Sequence, residues 1–392
     1  MPWIKKQISF SPTRLMVFSS VTLVLAQNFI ALNSQASSNW QTTISSEYLF
    51  DNNYYKINTN KQLEHTAKVS PSSKISIKQH RSVLNLGYSG NYGKNANHPD
   101  DDQFNHNIHT DFQLKIGDLS AFDFSAAYLT SRDERGVSAS PVVSTAALAK
   151  WSGKKTSASF TVPLISKSFI RIGGKFEERN YETSYAFSSR NVSELNLTSI
   201  LPITVKTAFL VKYLLQTTNY HSNSSNSTQL NRLSAGARWR TTGKTTSFAN
   251  VGYEVNSPNN ANPSYSGLFA DIRFLWQRKS YSAVNFTLSR KTTDNANTAE
   301  GYLVSSIAGF VWNHRYTDKW GSNIGSSLSF DEYGSGRKDV YVNPSLGINL
   351  KKSRHFLYHL NFQLMKRKSS QSALNYDSLI IQAGLKMQLE SL

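Results

Sequence analysis

The residues best suited to chemistry in this chain are a few histidines, one acidic cluster and a set of arginines. His106 and His109 are three residues apart, which on a strand places them on opposite faces, so they cannot bind a metal ion as a local pair. The segment "HPDDD" at 98–102 could supply carboxylate oxygens to a calcium ion, but a solvated acidic loop is the simpler interpretation. Neither G-x-S-x-G nor H-E-x-x-H occurs. We therefore expect no enzymatic activity, no metal site and no cofactor.

The arginines have a more informative arrangement. Arg232 and Arg238 share one face of an alternating run, and Arg273 lies inward on a later run together with Asp271. If this face lines a water-filled lumen, the arginines would concentrate anionic solutes there. If they instead pair with Glu254 and Asp271 on neighbouring strands, they form a structural network without a transport role. Both interpretations stay open at this point.

Strict alternation of apolar and polar residues defines the elements that would carry these side chains. In "SLIIQAGLKMQLE" at 378–390, six apolar residues share one face and polar residues take most of the other. Runs of this kind indicate β-strands, and they recur at 233–239, 268–276 and 356–364. Apart from the shorter run at 233–239, each is about ten residues long, the length that a tilted strand needs to cross a bilayer.

The connections between these runs alternate in length. Tight connections lie at 241–244, 277–280, 317–319 and 351–354, and longer polar ones lie at 217–228, 256–264, 292–300, 331–339 and 367–377. Alternation of short and long connections is typical of an up-and-down outer-membrane barrel with short periplasmic turns and long outer loops. The barrel must be closed, because backbone groups that face lipid need hydrogen-bond partners.

Tryptophan placement favours the same architecture. Five of the seven tryptophans are assigned to the edge with the short turns: Trp151, Trp239, Trp276, Trp312 and Trp320. Aromatic residues at such an edge form an interfacial girdle. The competing interpretation is a soluble β-sandwich with core tryptophans.

The predicted fold is therefore all-β, a transmembrane antiparallel up-and-down barrel of about sixteen strands. Ten strands follow Val205, four lie between residues 82 and 151, and two are assigned between Thr156 and Ile200. Eighteen strands is the alternative, reached if the segment 44–50 pairs with another near Leu63.

The N-terminal segment differs from the rest. Lys5, Lys6 and Arg14 accompany a long apolar stretch, and small residues follow at 34–36, so we expect a signal peptide at 1–36 and a single barrel domain at 37–392. An uncleaved anchor is the alternative. A chain of 392 residues with no cysteine and a net charge of +18 fits a Gram-negative envelope better than a disulfide-rich extracellular scaffold.

Several segments together resemble one family, among them "SSEYLFDNNYY" (45–55), "GARWRTTGKTT" (236–246), "VWNHRYTDKW" (311–320) and "YGSGRKDVYVNPSLGI" (333–348). They are similar to the putative beta-barrel porin type 2 family, and the resemblance covers almost the whole mature chain. It implies an outer-membrane barrel that serves export or anchoring of exopolysaccharide or capsule.

The partners expected from this resemblance and from the barrel itself are outer-membrane lipids, the barrel-assembly machinery, polysaccharide and other envelope export components. No nucleic acid is expected, because the charges do not cluster beside exposed stacking aromatics. A general porin-like solute channel and a closed structural barrel are the alternative functions.

Overall fold

The structure, a computed structural model, describes residues 37–137, 140, 146–164, 167–222, 227–259, 264–293, 295 and 301–390. Within these residues the chain forms eighteen strands. They are β1 (Ser37–Asp51), β2 (Glu64–Gln79), β3 (Ser82–Asn95), β4 (Gln103–Ile116), β5 (Ser120–Asp133), β6 (Ala149–Pro163), β7 (Phe169–Tyr181), β8 (Arg190–Pro202), β9 (Thr207–Tyr220), β10 (Thr228–Thr242), β11 (Thr245–Pro258), β12 (Tyr265–Lys279), β13 (Ser282–Thr293), β14 (Leu303–Arg315), β15 (Trp320–Tyr333), β16 (Lys338–Lys351), β17 (Phe356–Ser369) and β18 (Tyr376–Glu390). In the part of the chain described here, no helix is both long and apolar enough to cross a membrane.

Every strand pairs antiparallel with its neighbours in sequence, and the sheet closes on itself through β1. Ile44 of β1 lies opposite Met387 of β18 on one side and opposite Pro71 of β2 on the other. The prediction of sixteen strands is therefore wrong, and the alternative of eighteen is correct. The two additional strands are β1 and β2. β1 closes the barrel by pairing with β18, and β2 joins β1 to β3, so neither edge of the sheet is left unpaired.

The connections divide the barrel into two ends, which we name the turn end and the loop end. At the turn end the connections have two to five residues, as at 243–244 and 164–168. At the loop end they reach fifteen residues, at 134–148. One predicted long loop, 331–339, is a four-residue turn at 334–337, because β15 and β16 extend further than their apolar runs suggest.

Two predicted segments include residues that the structure does not describe. The strand predicted at 142–151 is displaced, since β6 begins only at Ala149 and continues to Pro163, while residues 141–145 lie outside the described residues. The predicted signal peptide at 1–36 also lies outside the described residues.

Large apolar side chains cover the outer surface of the barrel. Leu233, Tyr253 and Leu268 stand side by side on β10, β11 and β12 and are 55–59% exposed. Most residues of the opposite parity on the same strands are buried or polar, as the alternating pattern predicts. This belt is the surface that a membrane barrel presents to lipid.

Four of the five predicted girdle tryptophans share this outer surface at the turn end: Trp239, Trp276, Trp312 and Trp320. Trp151 does not. It is the third residue of β6, next to the loop end, and its indole N–H donates to Asp133 over 3.1 Å. The assignment of Trp151 to the turn end was wrong because Trp151 lies near the start of β6 and not at the end of a strand, which places it at the loop end. Trp40, the fourth residue of β1 and 45% exposed, is the fifth tryptophan near the turn end.

Candidate functional site: the barrel lumen

The inward face of the barrel carries all five predicted lumen residues, but they are not equivalent. Arg232 of β10 lies opposite Glu254 of β11, and the guanidinium donates to one carboxylate oxygen over 2.6 and 2.8 Å. The other oxygen accepts from the backbone N–H and the hydroxyl of Thr292 at 2.5 and 2.7 Å. Glu254 is 0% exposed, and Arg232 stacks 4.2 Å above the ring of Phe269. This pair is a buried structural contact.

Arg273 is also paired, though in an open position. Two of its guanidinium nitrogens donate to the two carboxylate oxygens of Asp271, two residues earlier on β12, over 2.9 and 2.6 Å. Its side chain is 66% exposed. The pair therefore contributes little net charge to the lumen.

Arg238 is different from both. It lies opposite Phe248, which in turn lies opposite Arg273, so the three side chains form one row across β10, β11 and β12. Arg238 is exposed and forms no ion pair among the described residues. Its charge is therefore not neutralised locally.

Several inward lysines share this property; we select Lys74 and Lys155 and refer to Lys74, Lys155 and Arg238 as the free lumen cations. Lys74 faces inward because the next residue, Ile75, faces outward. Lys155 faces inward because the preceding residue, Lys154, faces outward and pairs with Glu178. Both are exposed and have no ion-pair partner in the described part of the chain. Neither lysine was predicted as a lumen residue, although its position in the alternation relative to the apolar face was a signal that could have identified it.

At the loop end, described residues of three connections contact one another. Asp101, in the connection between β3 and β4, accepts from Arg135 at 2.8 Å and from the hydroxyl of Tyr54 at 2.9 Å. Arg135 belongs to the β5–β6 connection and Tyr54 to the β1–β2 connection. All three loops are therefore joined by one buried ion pair and its hydrogen bond.

Ionisation in this network follows from its burial. Burial alone would raise the pKa of the Asp101 carboxyl, but the hydrogen bond and charge of Arg135 outweigh it and hold the pKa below its usual value. Burial, with the adjacent charge of Asp101, raises the pKa of the Tyr54 hydroxyl. The network is therefore an ionised carboxylate held by a cation and a neutral phenol.

A second contact joins the β5–β6 connection to strand β18. The backbone carbonyl of Gly136 accepts from the hydroxyl of Tyr376 on β18 over 2.8 Å. Gly136 has φ +72°, and a Cβ there would lie 2.8 Å from the side chain of Lys56 and 2.9 Å from the Tyr376 ring. Lys56 in turn contacts Asp51 and Ser378. The position requires glycine, because side chains pack closely around it. We refer to the contacts among Tyr54, Asp101, Arg135, Gly136 and Tyr376 as the loop mouth.

Arginine–aromatic stacks continue around the same end of the lumen. They are Arg179 over Trp151, Arg190 over Tyr181 and Tyr220, Arg337 over Tyr333, and Arg367 over Tyr341 and Tyr376. Guanidinium groups stack favourably on aromatic faces. The loop half of the lumen is thus lined by mutually packed cations and rings, and the free lumen cations lie farther towards the middle and the turn end.

A polar cleft of about 540 Å³ lies on the inner wall formed by β3 to β8. Amide and hydroxyl groups dominate it, including Asn85, Gln113 and Ser157, with Lys175 and Asp123 among its charged residues. Gln113 donates to Asp123 over 2.9 Å. Such a wall can form hydrogen bonds with a polyhydroxylated solute.

The histidines and the acidic segment that the sequence offered as metal ligands lie apart or have other partners. His106 faces the outer surface against Tyr88, whereas His109 faces inward above Gly87, so the two histidines lie on opposite faces. In "HPDDD", Asp101 is engaged by Arg135, and Asp102 accepts from the backbone N–H of Asn95. Among the described residues no group of three or more histidine or acidic side chains is arranged to hold a metal ion.

Comparison with known proteins gives a family match and several similar folds. A family model described as Putative beta-barrel porin 2 matches residues 41–389. A comparison with curated proteins finds no match.

Among solved structures, OccAB2 of Acinetobacter baumannii superposes with a TM-score of 0.50 at 8% identity, covering 91% of this chain and 98% of that one. OccAB3 of the same organism gives 0.50 and 8%, covering 91% and 100%. The FrpB iron transporter of Neisseria meningitidis (F3-3 variant) gives 0.48 and 11%, covering 88% of this chain, which spans 64% of the transporter's length. At these identities the likeness concerns the fold alone.

Proposed function

The chain belongs to the putative beta-barrel porin 2 family and is an outer-membrane, porin-like barrel, and from this premise we propose that it passes anionic solutes, with acidic polysaccharide as its substrate class. Porin-family barrels are typically non-enzymatic. Transport, rather than catalysis, is therefore the function to which the lumen must be related.

The observation that carries the proposal is the uneven distribution of charge along the lumen. Arg232 and Arg273 are neutralised by Glu254 and Asp271, whereas Arg238, Lys74 and Lys155 are exposed and have no ion-pair partner among the residues that the structure describes. Unpaired cations in a low-dielectric passage raise the local concentration of anions. The free lumen cations therefore favour anionic over cationic solutes.

The proposed substrate class follows from the cleft on the wall of β3 to β8. Its amides and hydroxyls suit the hydroxyl groups of a sugar chain. Its cations Arg171 and Lys175 are balanced by Asp111, Asp123 and Glu194, so the attraction for the acidic groups of such a chain comes from the free lumen cations. An acidic glycan presents both kinds of group along its length. Export or anchoring of exopolysaccharide or capsule, implied by the family resemblance, would use this chemistry.

A second candidate is a structural barrel that stays closed. It is favoured by the loop mouth, where Arg135, Asp101, Tyr54, Gly136 and Tyr376 join three connections and the β18 strand in one buried network. If this network does not open, the lumen is accessible from the turn end only. The two candidates differ in whether solute crosses the wild-type barrel.

Proteoliposomes containing the purified protein separate these candidates. We expect an oligogalacturonate to enter several-fold faster than a neutral maltooligosaccharide of equal length. The triple variant K74Q/K155Q/R238Q should reduce the two rates to similar values, while Lys154→Gln, which removes the neighbouring outward charge, should leave the preference unchanged.

Two results would contradict the proposed transport. Equal entry of acidic and neutral sugars into wild-type liposomes would refute the preference for anions. Entry of neither sugar, with entry of both through an Arg135→Ala variant, would establish the closed barrel instead.

A further inference from the structure

An unusual group of lysines lies on the lipid-facing side of the barrel at the loop end. Lys338 begins β16, and Lys366 and Lys368 lie near the end of β17; we refer to them as the rim lysines. Lys368 lies opposite Val340, Lys366 lies opposite Val342, and the backbone of Lys338 bonds to that of Ser370. These pairings place all three amines on one face of two adjacent strands. Facing and diagonal cross-strand neighbours are about 5 to 8 Å apart.

The rim lysines point outward rather than into the lumen. Their parity is that of Leu364, which is 53% exposed, and of the exposed Val342. The residue between the two β17 lysines, Arg367, has the opposite parity and packs in the lumen against Tyr376. The rim lysines are themselves exposed.

Nearby carboxylates do not neutralise them. Asp377 lies opposite Lys366 across the β17–β18 ladder, but it pairs with Lys61 at 2.6 Å. Glu332 lies opposite Lys338 across the β15–β16 ladder, but it pairs with Arg290 at 3.2 Å. None of the rim lysines forms an ion pair within the described residues. The patch therefore keeps a surplus of three positive charges directly beside the apolar belt.

We propose that the rim lysines bind the phosphate groups of a phosphorylated glycolipid in the outer leaflet of the membrane. Ammonium groups form charge-assisted bonds with phosphate oxygens, and basic clusters beside a membrane-spanning segment attract anionic headgroups. The loop end faces outside in barrels of this plan, so the patch lies at the level of the outer-leaflet headgroups.

A lipid, rather than free phosphate, is indicated by what lies just below the amines. Leu364, Val342 and Phe330 form exposed apolar surface on β17, β16 and β15, directly adjoining the rim lysines. A ligand with a phosphorylated head and acyl chains would contact both surfaces together. Inorganic phosphate would use only the amines.

The test measures binding of bisphosphorylated lipid A to the purified, detergent-solubilised barrel. Each lysine near a charged membrane surface is expected to contribute roughly five-fold in affinity, so K338Q/K366Q/K368Q should weaken binding by on the order of 100-fold. The matched control is K244Q/K319Q/K352Q, which removes three exposed lysines at the turn end and should bind like wild type. Retention of the folded, heat-modifiable form on gels verifies that both variants form barrels.

Three outcomes would overturn the proposal. Dephosphorylated lipid A that binds as tightly as the bisphosphorylated form would show that only the apolar surface matters. Competition by millimolar inorganic phosphate as effective as that by lipid A would identify a free-phosphate site. Equal loss of binding in the turn-end control would show a general effect of net charge.

Discussion

The Arg232–Glu254 pair provides the clearest separation of structural from functional arginines. Replacing Arg232 with Gln leaves the Glu254 carboxylate fully buried without its cation. Removal of one partner from a buried ion pair costs about 3–5 kcal/mol. The two hydrogen bonds from Thr292 remain, so we expect the lower end of this range, about 3 kcal/mol.

Arg238→Gln is the matched comparison on the same face of the same strand. Because Arg238 is exposed and has no ion-pair partner in the described chain, its replacement should change the free energy of unfolding by less than about 0.5 kcal/mol. The double variant R232Q/E254Q should recover most of the stability lost in R232Q, because the buried charge is then removed as well.

Reversible urea unfolding of the barrel in lipid vesicles, followed by tryptophan fluorescence, measures all three free energies. An R232Q barrel as stable as wild type would show that the buried pair is not structural. A loss of similar size in R238Q would show that the two arginines have the same role, and the division of the lumen described here would be wrong.

Three further predictions concern the membrane, the orientation and the loop mouth. Leu385→Arg places a charge on the lipid-facing side and should destabilise the barrel by about 2–4 kcal/mol, whereas Gln382→Arg on the inward face of β18 should be mild; equal loss of folded barrel on gels would contradict the facing. Single cysteines at Asn259 and at Lys352 should react differently with an impermeant thiol reagent on intact cells, and labelling at 352 alone would reverse the orientation. The folded-state pKa of Asp101 is lowered, so the stability that its ionised carboxylate contributes is complete above the unfolded pKa of about 3.9 and is lost as the pH falls through the folded value. Because protonation weakens the Asp101 contacts of the loop mouth, conductance should rise on acidification below about pH 4. An unchanged conductance, or an equal acid response in Asp101→Asn, would refute this.

Most of the fold could be predicted because alternation and connection length are local properties of the sequence. The ten strands after Val205 are found as predicted, and the inward parity of Arg232 and Arg238 follows from the same alternation. The strand number was set too low because β2 is rich in serine and lysine, "EHTAKVSPSSKISIKQ", and has little apolar signal. β2 pairs with β1 as its neighbour in sequence, whereas the closing pair of β1 with β18 joins the two ends of the barrel and is not encoded by any local pattern.

The site was less predictable because it depends on contacts between distant segments. Arg135 and Asp101 are separated by the whole of β4 and β5, and Gly136 meets Tyr376 from the far end of the chain. Sequence spacing cannot show which inward cation forms an ion pair with a carboxylate. For that reason Arg232, Arg238 and Arg273 could be assigned to one face but not to their three different environments.

The most direct test of an anion-preferring lumen is the reversal potential of the wild-type barrel in a planar bilayer under a potassium chloride gradient. The free lumen cations predict a potential of the sign that denotes chloride selectivity, reduced in K74Q/K155Q/R238Q and unchanged in Lys154→Gln. A wild-type channel that is cation-selective, or whose reversal potential does not respond to loss of these three charges, would contradict the proposed function.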